Sequence, residues 1–479
     1  MYSVEPRNTI SSFYFFANKH EIVRTTIVDF HRFPFWSHWS GGGYPVLGDP
    51  HFPSLNPLII FTLFFGSIMG LKIIGYFMLL AGGIGTFLFT RNTLGYTIWG
   101  SIYCGLMFGI SLYGPLRIAD GNVTEAYVLL LPSCLYLINI ACNKKPSGFL
   151  LLALVTYTMF SDGVSAFNMG MLFLATVCLL SMVPYLNIFH RSNKLSKVEV
   201  RPIKFLILGV TIGLIVGMPR LFPMLEFIFS HGSLSDLSGH VGHLETEYPG
   251  IHGYELITLL RILIGWDSEG LVTVGLIPIV LCFFSITFFF RKNLIWLITL
   301  AIFTILALGA NGPIDPFQYL WHLPLFNAVT NPQKYFSPEI LFIIIVISGS
   351  SFNLLTRLNK RWVEQVAAIF LIAICTSFLY PKMISIQQNT YSELLPSENE
   401  ILQQTGEFYQ VQGLNLRRNR VSPLRSVAFF NLMRNVGTID WYTALLSQEN
   451  AIPRYWIDKE GNQLIHHRYR GEIFFLQNI

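Results

Sequence analysis

Charge is what this chain has least of. Only 12% of its 479 residues are Asp, Glu, Lys or Arg, while 52% are hydrophobic; soluble globular chains carry about 25% charge. The shortfall excludes an ordinary water-soluble fold. Cysteine is sparse too, and Cys104, Cys134, Cys142, Cys178, Cys282 and Cys375 all lie in or beside apolar stretches. That placement leaves no disulfide framework and no metal-ligand spacing, and suits small buried side chains. No internal repeat or low-complexity segment is visible. A net charge of +5 makes no nucleic-acid surface, because the basic residues are sorted by loop instead of being gathered on one face. Met1–Asn8 is polar, with no apolar signal-peptide core in front of the loop that follows.

What the chain has is long apolar segments. A helix needs about 20 apolar residues to cross a bilayer, whose core offers the backbone no other hydrogen-bond partner. Segments 70–90, 94–113, 123–141, 149–160 with its flanks, 167–186, 204–227, 270–290, 293–310, 338–355 and 363–380 qualify as ten candidate spans. Residues 56–68 and 256–266 are apolar but short, and read as interfacial or re-entrant helices. The expected fold is therefore an all-α polytopic membrane protein, with the membrane domain over 58–380.

Lys and Arg give the orientation. The connections at 90–93, 142–148, 187–204, 291–292 and 356–361 hold 13 of them, whereas 114–122, 161–166, 228–255 and 311–337 hold only Arg117 and Lys334. The positive-inside rule places the first set in the cytoplasm, so the outer first loop 1–57 and the tail 381–479 both face outward. A polar start of that length does not cross a membrane unaided, which leads to the expectation of a further helix upstream of Met1, or else of a shortened protein. Within 1–57, Gly41-Gly42-Gly43-Tyr44-Pro45, Asp49-Pro50 and Asn56-Pro57 point to a folded, turn-rich loop, not a helix. In the tail, short apolar runs such as 426–430, 463–467 and 472–476 alternate with turn signals such as Glu460-Gly461-Asn462, which predicts a small extracytoplasmic α/β or β-rich domain.

The run Phe33-Pro-Phe-Trp-Ser-His-Trp-Ser-Gly-Gly-Gly-Tyr-Pro-Val-Leu-Gly-Asp-Pro50, followed by Leu55-Asn-Pro-Leu58, resembles the first outer loop of bacterial GT-C glycosyltransferases. These multi-spanning membrane proteins are related to protein mannosyltransferases and to polyprenyl-phosphate-sugar-dependent transferases. Other matches follow in order: Gly70-Leu-Lys72, Arg117-Ile-Ala-Asp120-Gly-Asn122, Pro223-Met-Leu-Glu226, and Leu323-Pro-Leu-Phe-Asn-Ala-Val-Thr-Asn-Pro332-Gln-Lys334. The tail adds Asn435-Val-Gly-Thr-Ile439. The resemblance implies transfer of a sugar from a polyprenyl-phosphate carrier at the outer face of a bacterial inner membrane, with inversion and an acid as base. It also implies an apolar groove for the prenyl chain. The group carries an Asp at the exit of its first helix; the corresponding stretch here, Arg7–Ser12, has no acid.

Such chemistry needs a carboxylate to deprotonate the acceptor hydroxyl and cations to stabilise the departing lipid phosphate. Asp120, in an outer turn beside Arg117, suits a base or a metal ligand, and equally a helix cap ahead of Val123-Thr124. Asp49 in Gly-Asp-Pro is the second acid, with a turn residue as the alternative. Lys72, Arg117, Arg220, Glu226 and Lys334 are the candidate substrate-binding charges at outer ends, where snorkelling and interfacial anchoring are the competing roles. His240, His243, Glu245 and Glu247 can ligate a divalent cation, magnesium or manganese, though their spacing matches no standard zinc motif; no cofactor is demanded. Two other readings stay open. One is a flippase or transporter, although there is no repeat and the charges sit near outer ends. The other is a catalytically inactive scaffold within a membrane complex, which the missing acid favours. The topology yields the first prediction: a reporter that works only in the cytoplasm, fused after Ile479, stays silent, and a strong signal would refute the outward tail.

Overall fold

A computed structural model describes residues 6–37, 46–49, 52–119, 121–143, 145, 147–189, 199–231, 253–266, 272–323, 326, 332–357, 361–392, 455–457 and 463–465. The chain is mostly helical. Among the described residues, six helical segments are long and apolar enough to cross a membrane: Ser67–Leu94, Ile98–Ala119, Val123–Cys142, Leu276–Leu308, Pro332–Thr356 and Trp362–Ile386. This falls short of the ten expected spans. Ser147–Asp162 and Ala166–Leu180 are apolar but shorter, and the expected span 204–227 is bent by 75° between Arg201–Val216 and Met218–Glu226.

The helices are α1 (Pro6–Val28), α2 (Ile59–Phe65), α3 (Ser67–Phe89), α4 (Ile98–Gly109), α5 (Tyr113–Ala119), α6 (Val123–Ala126) and α7 (Leu131–Cys142). They continue with α8 (Ser147–Asp162), α9 (Val164–Leu180), α10 (Arg201–Val216), α11 (Met218–His231), α12 (Leu256–Ile264), α13 (Leu276–Leu308), α14 (Phe317–Trp321), α15 (Pro332–Ser350) and α16 (Arg361–Ser392). Segments 56–68 and 256–266 hold short helices: α2 hinges into α3 at Gly66, whose φ of +81° a side chain would disfavour, and α12 stops at Gly265.

The first loop departs from expectation. Its first half, Pro6–Val28, is a helix. Phe13, Phe16, Ala17, His20 and Val23 line one buried stripe at helical spacing, and Lys19, Glu21 and Thr25 are buried beside it. Polar residues inside the buried face hid the periodicity, because a charge is buried only where a partner awaits it. In the tail, α16 runs past 380 to Ser392, and Tyr455–Ile457 pairs antiparallel with Gln463–Ile465. That hairpin alone does not amount to the expected α/β domain, the rest of which lies outside the described residues.

Helix α15 is the centre of the bundle. Every residue from Phe336 to Ser350 is buried, the signature of a helix that is apolar all round and surrounded by others. The ring of Phe342 sits 6.2, 5.5, 5.9 and 6.0 Å from those of Phe89, Phe108, Phe173 and Trp296. The last three of these pairs are edge-to-face, an arrangement that adds to area burial. Beside α15, α13 doubles back. Phe289 leaves helical geometry (φ −130°, ψ 32°), and the Asn293 side-chain amide donates to the carbonyl of Ser285 at 3.3 Å and to its hydroxyl at 2.7 Å. In a straight helix residues eight apart are about 12 Å distant, so 276–288 and 290–308 form a hairpin. This matches the expected break between 270–290 and 293–310. Asn293 also reaches the Ser350 hydroxyl at 3.2 Å, which itself bonds Ser285. The buried node predicts that Asn293→Ala lowers unfolding stability in detergent by about 1–3 kcal/mol, because Ser285 and Ser350 lose their shared partner. Thr287→Ala, at an exposed site one turn away, is expected to leave the thermal midpoint unchanged.

Candidate functional site

Two buried ionic networks lie on either side of the segment 122–127. The first is built on Arg220, at the head of α11 and fully buried. Its Nε donates to the carbonyl of Ser161 at 3.4 Å, Nη1 to those of Val46 (3.3 Å) and Leu47, and Nη2 to those of Asp49 and Phe52 (2.8 Å). A guanidinium has five N–H donors, and here each finds a backbone carbonyl. Lys19 of α1 pairs with Asp49 at 2.7 Å, with side-chain exposures of 4% and 0%, and lies 4.8 Å above the Phe52 ring. Burial pulls the Lys19 ammonium below its usual range, while Asp49 beside it opposes that shift. Asn56 continues the clamp, donating to the Thr158 carbonyl and the Ser161 hydroxyl at 3.0 Å each. Asp162, at the end of α8, accepts from the Tyr127 hydroxyl at 3.2 Å and lies in the field of Arg220, Lys19 and Asp49. His20 bonds the Thr62 hydroxyl at 2.8 Å, and burial pushes its imidazole down to about 3, so it stays neutral.

The second network is centred on Glu125 of α6. Its carboxylate meets Arg117 of α5 at 3.1 Å and Lys334 of α15 at 2.6 Å. The Asn122 side chain caps α6 by accepting from the Glu125 amide, and the Tyr113 hydroxyl donates to the Glu125 carbonyl at 3.3 Å. Arg117 lies 5.5 Å from the Tyr113 ring and Lys334 at the same distance from Tyr335. The networks are held together by close packing at Gly163, where a Cβ would collide with the Thr124 carbonyl and approach the Tyr127 ring at 2.9 Å.

Exposure separates their roles. Lys19, Asp49 and Arg220 are sealed, whereas Lys334 keeps 31% of its side-chain surface open, with Arg117 and Glu125 beneath it at 8% and 6%. Of the sequence candidates, Asp49 and Arg220 thus come together in a closed structural clamp, and Arg117 and Lys334 come together in an open one. Lys72 is half-buried on the second turn of α3, and Glu226 is exposed on α11. Asp120 and the His240–Glu247 cluster lie outside the described residues; among the described residues no three His, Cys, Asp or Glu side chains gather as a metal site. Sequence reasoning missed Lys19, Glu125, Asp162 and Glu339. Asp162 and Glu339 lie inside or at the end of apolar helices, where a charge is a signal; Lys19 and Glu125 gave none that set them apart. No family model, curated protein or solved structure matches the chain. The saturated guanidinium predicts that Arg220→Met destabilises the protein by about 3–5 kcal/mol, since it strands five carbonyls and unbalances the buried charges. Glu226→Gln is expected to be neutral in the same thermal unfolding assay, and equal losses would refute the clamp.

Proposed function

We propose that the chain transfers a sugar from a polyprenyl-phosphate carrier to an acceptor at the outer face of the membrane. The observation that carries the reading is the convergence on Glu125. Arg117 and Lys334 are the only basic residues in the four connections assigned outward, they come from distant parts of the chain, and they meet on one carboxylate, with Lys334 partly exposed. Two cations held close together in a poorly hydrated place suit a phosphate ester that gains charge as it departs. The ordered motif matches to GT-C transferases support the same chemistry.

In this reading the acceptor hydroxyl gives its proton to Asp120 as its oxygen attacks the anomeric carbon, and the carbon–oxygen bond to the carrier breaks. The leaving polyprenyl phosphate takes the electron pair and is held by Arg117 and Lys334. Asp49 is a poor base here, because Lys19 and the sealed clamp already occupy it. The finer architecture belongs to the same proposal: ten membrane passages with the shorter and bent helices included, both termini outside, and an extracytoplasmic α/β tail, in a bacterial inner membrane.

The test is transfer of radiolabelled sugar from polyprenyl phosphate in membranes. Asp120→Asn is expected to lower the rate by 10²–10⁴-fold, the usual worth of a general base, with insertion unchanged. If Asp120 is only a turn residue ahead of the Asn122 cap, Asn serves almost as well and more than half the rate survives. Lys334→Gln is expected to weaken carrier binding. Carrier binding by the unaltered protein without any transfer would instead favour the scaffold or flippase reading.

A further inference from the structure

Two cations stand together on an exposed, apolar flank of the bundle. Arg261, in the last turn of α12, is exposed. Lys382 of α16 lies 4.6 Å above the Phe378 ring and donates to the Gly265 carbonyl at 3.4 Å. Gly265 ends α12, and its amide, like that of Trp266, donates to the Arg261 carbonyl at 3.0 Å. The Lys382 ammonium is therefore held at the cap of the turn that carries Arg261, about one helical pitch of 5.4 Å along the axis. Little room is left for this corner to shift, because the Phe378 ring fits between Gly265 and Gly275. An added Cβ on either glycine would come within 2.6 or 2.8 Å of that ring. Among the described residues, no carboxylate pairs with Arg261 or Lys382. Glu255, at the far end of α12, accepts from Thr258 at 3.5 Å instead.

The apolar segments put the corner at headgroup depth. Lys382 lies one turn from the end of Trp362–Ile386, and Gly265 lies ahead of Leu276–Leu308. Ile257 and Leu260 share the helix face of Arg261, and both are exposed, as are Trp266 and Tyr380. Aliphatic side chains there suit acyl tails, and an indole and a phenol settle at the membrane interface. A cation left unpaired beside hydrocarbon is costly, whereas a guanidinium and an ammonium together match a phosphate. We propose that this corner binds an anionic glycerophospholipid of the surrounding bilayer. Arg261 and Lys382 take its phosphate, and the exposed face of α12 lies along its acyl chains. A bilayer phospholipid suits the corner better than a dedicated carrier, because the site is open to the side, with Ile257 65% and Trp266 78% exposed. It shares no residue with the Arg117–Glu125–Lys334 cluster and stands independently of the sugar-transfer reading.

Native mass spectrometry of the full chain, delipidated in detergent, tests the site. The protein is titrated with dioleoyl phosphatidylglycerol, dioleoyl phosphatidylcholine and a short-chain polyprenyl phosphate. Arg261→Gln combined with Lys382→Gln is expected to weaken the first phosphatidylglycerol to bind on the order of tenfold, the scale of two basic residues near an anionic headgroup. Binding of phosphatidylcholine is expected to stay unchanged. Arg291→Gln combined with Lys292→Gln removes another exposed basic pair and is expected to keep the phosphatidylglycerol affinity. Arg261→Gln alone is expected to cost about threefold, half the effect on a logarithmic scale, with the thermal midpoint unchanged. That single variant separates lost binding from any damage to the packing of Lys382 and Phe378. Equal phosphatidylglycerol affinities in the unaltered protein and the Arg261 and Lys382 double variant would overturn the site, as would equal losses in the two double variants. Polyprenyl phosphate that displaces phosphatidylglycerol at lower concentration, and loses that advantage in the Arg261 and Lys382 double variant, would overturn the phospholipid assignment in favour of a carrier seat.

Discussion

A guanidinium surrounded by carbonyls holds the first loop to the helices. Residues 46–49 and 52–56 turn repeatedly, so most of their carbonyls lack the regular partners of a helix or strand, yet nearly all of these residues are buried. Backbone acceptors shut away from water must find donors. Arg220 supplies donors to the carbonyls of Val46, Leu47, Asp49 and Phe52 from one planar fork that lysine could not imitate, and Asn56 ties the loop to α8 by donating to the Thr158 carbonyl and the Ser161 hydroxyl. Because Arg220 also reaches the Ser161 carbonyl, the same side chain joins the loop, α8 and α11. The loop is thereby made into a rigid wall.

The charge of that arginine has further consequences. A lone cation at 0% exposure would be prohibitive; Asp49 pairs with Lys19, and Arg220 is surrounded by carbonyls. Both cations are thus engaged, and neither is open to a substrate. The Glu125 network is constructed differently. Its two cations outnumber its one carboxylate, and Lys334 stays partly open. The packing at Gly163 brings the closed and the open network against the same short segment, so the structural clamp positions the surface on which the proposed chemistry depends.

How much of this was legible in the sequence varies with the residue. Arg117 and Lys334 stood out because their connections hold no other base, and that reasoning needed no coordinates. The kink at Phe289 was legible too, as a basic Arg291-Lys292 pair between two apolar runs. Helix α1 was not, since its buried stripe includes His20 and is flanked by buried Lys19 and Glu21, which defeats any search for apolar periodicity. Glu125 was overlooked for a related reason: at the start of an apolar segment a glutamate looks like an ordinary first-turn acid, favourable to the helix dipole.

The sequence by itself determined that the chain is helical and built for a bilayer, because apolar length and low charge are local properties that a membrane reads directly. Only the tertiary structure decided which charge meets which. Asp49 and Arg220 were site candidates in the sequence alongside Arg117 and Lys334, yet the first two are sealed and Lys334 is partly open. Pairing depends on contacts between residues separated by 30, 171 or 209 positions, and neither propensity nor hydropathy carries information over that distance.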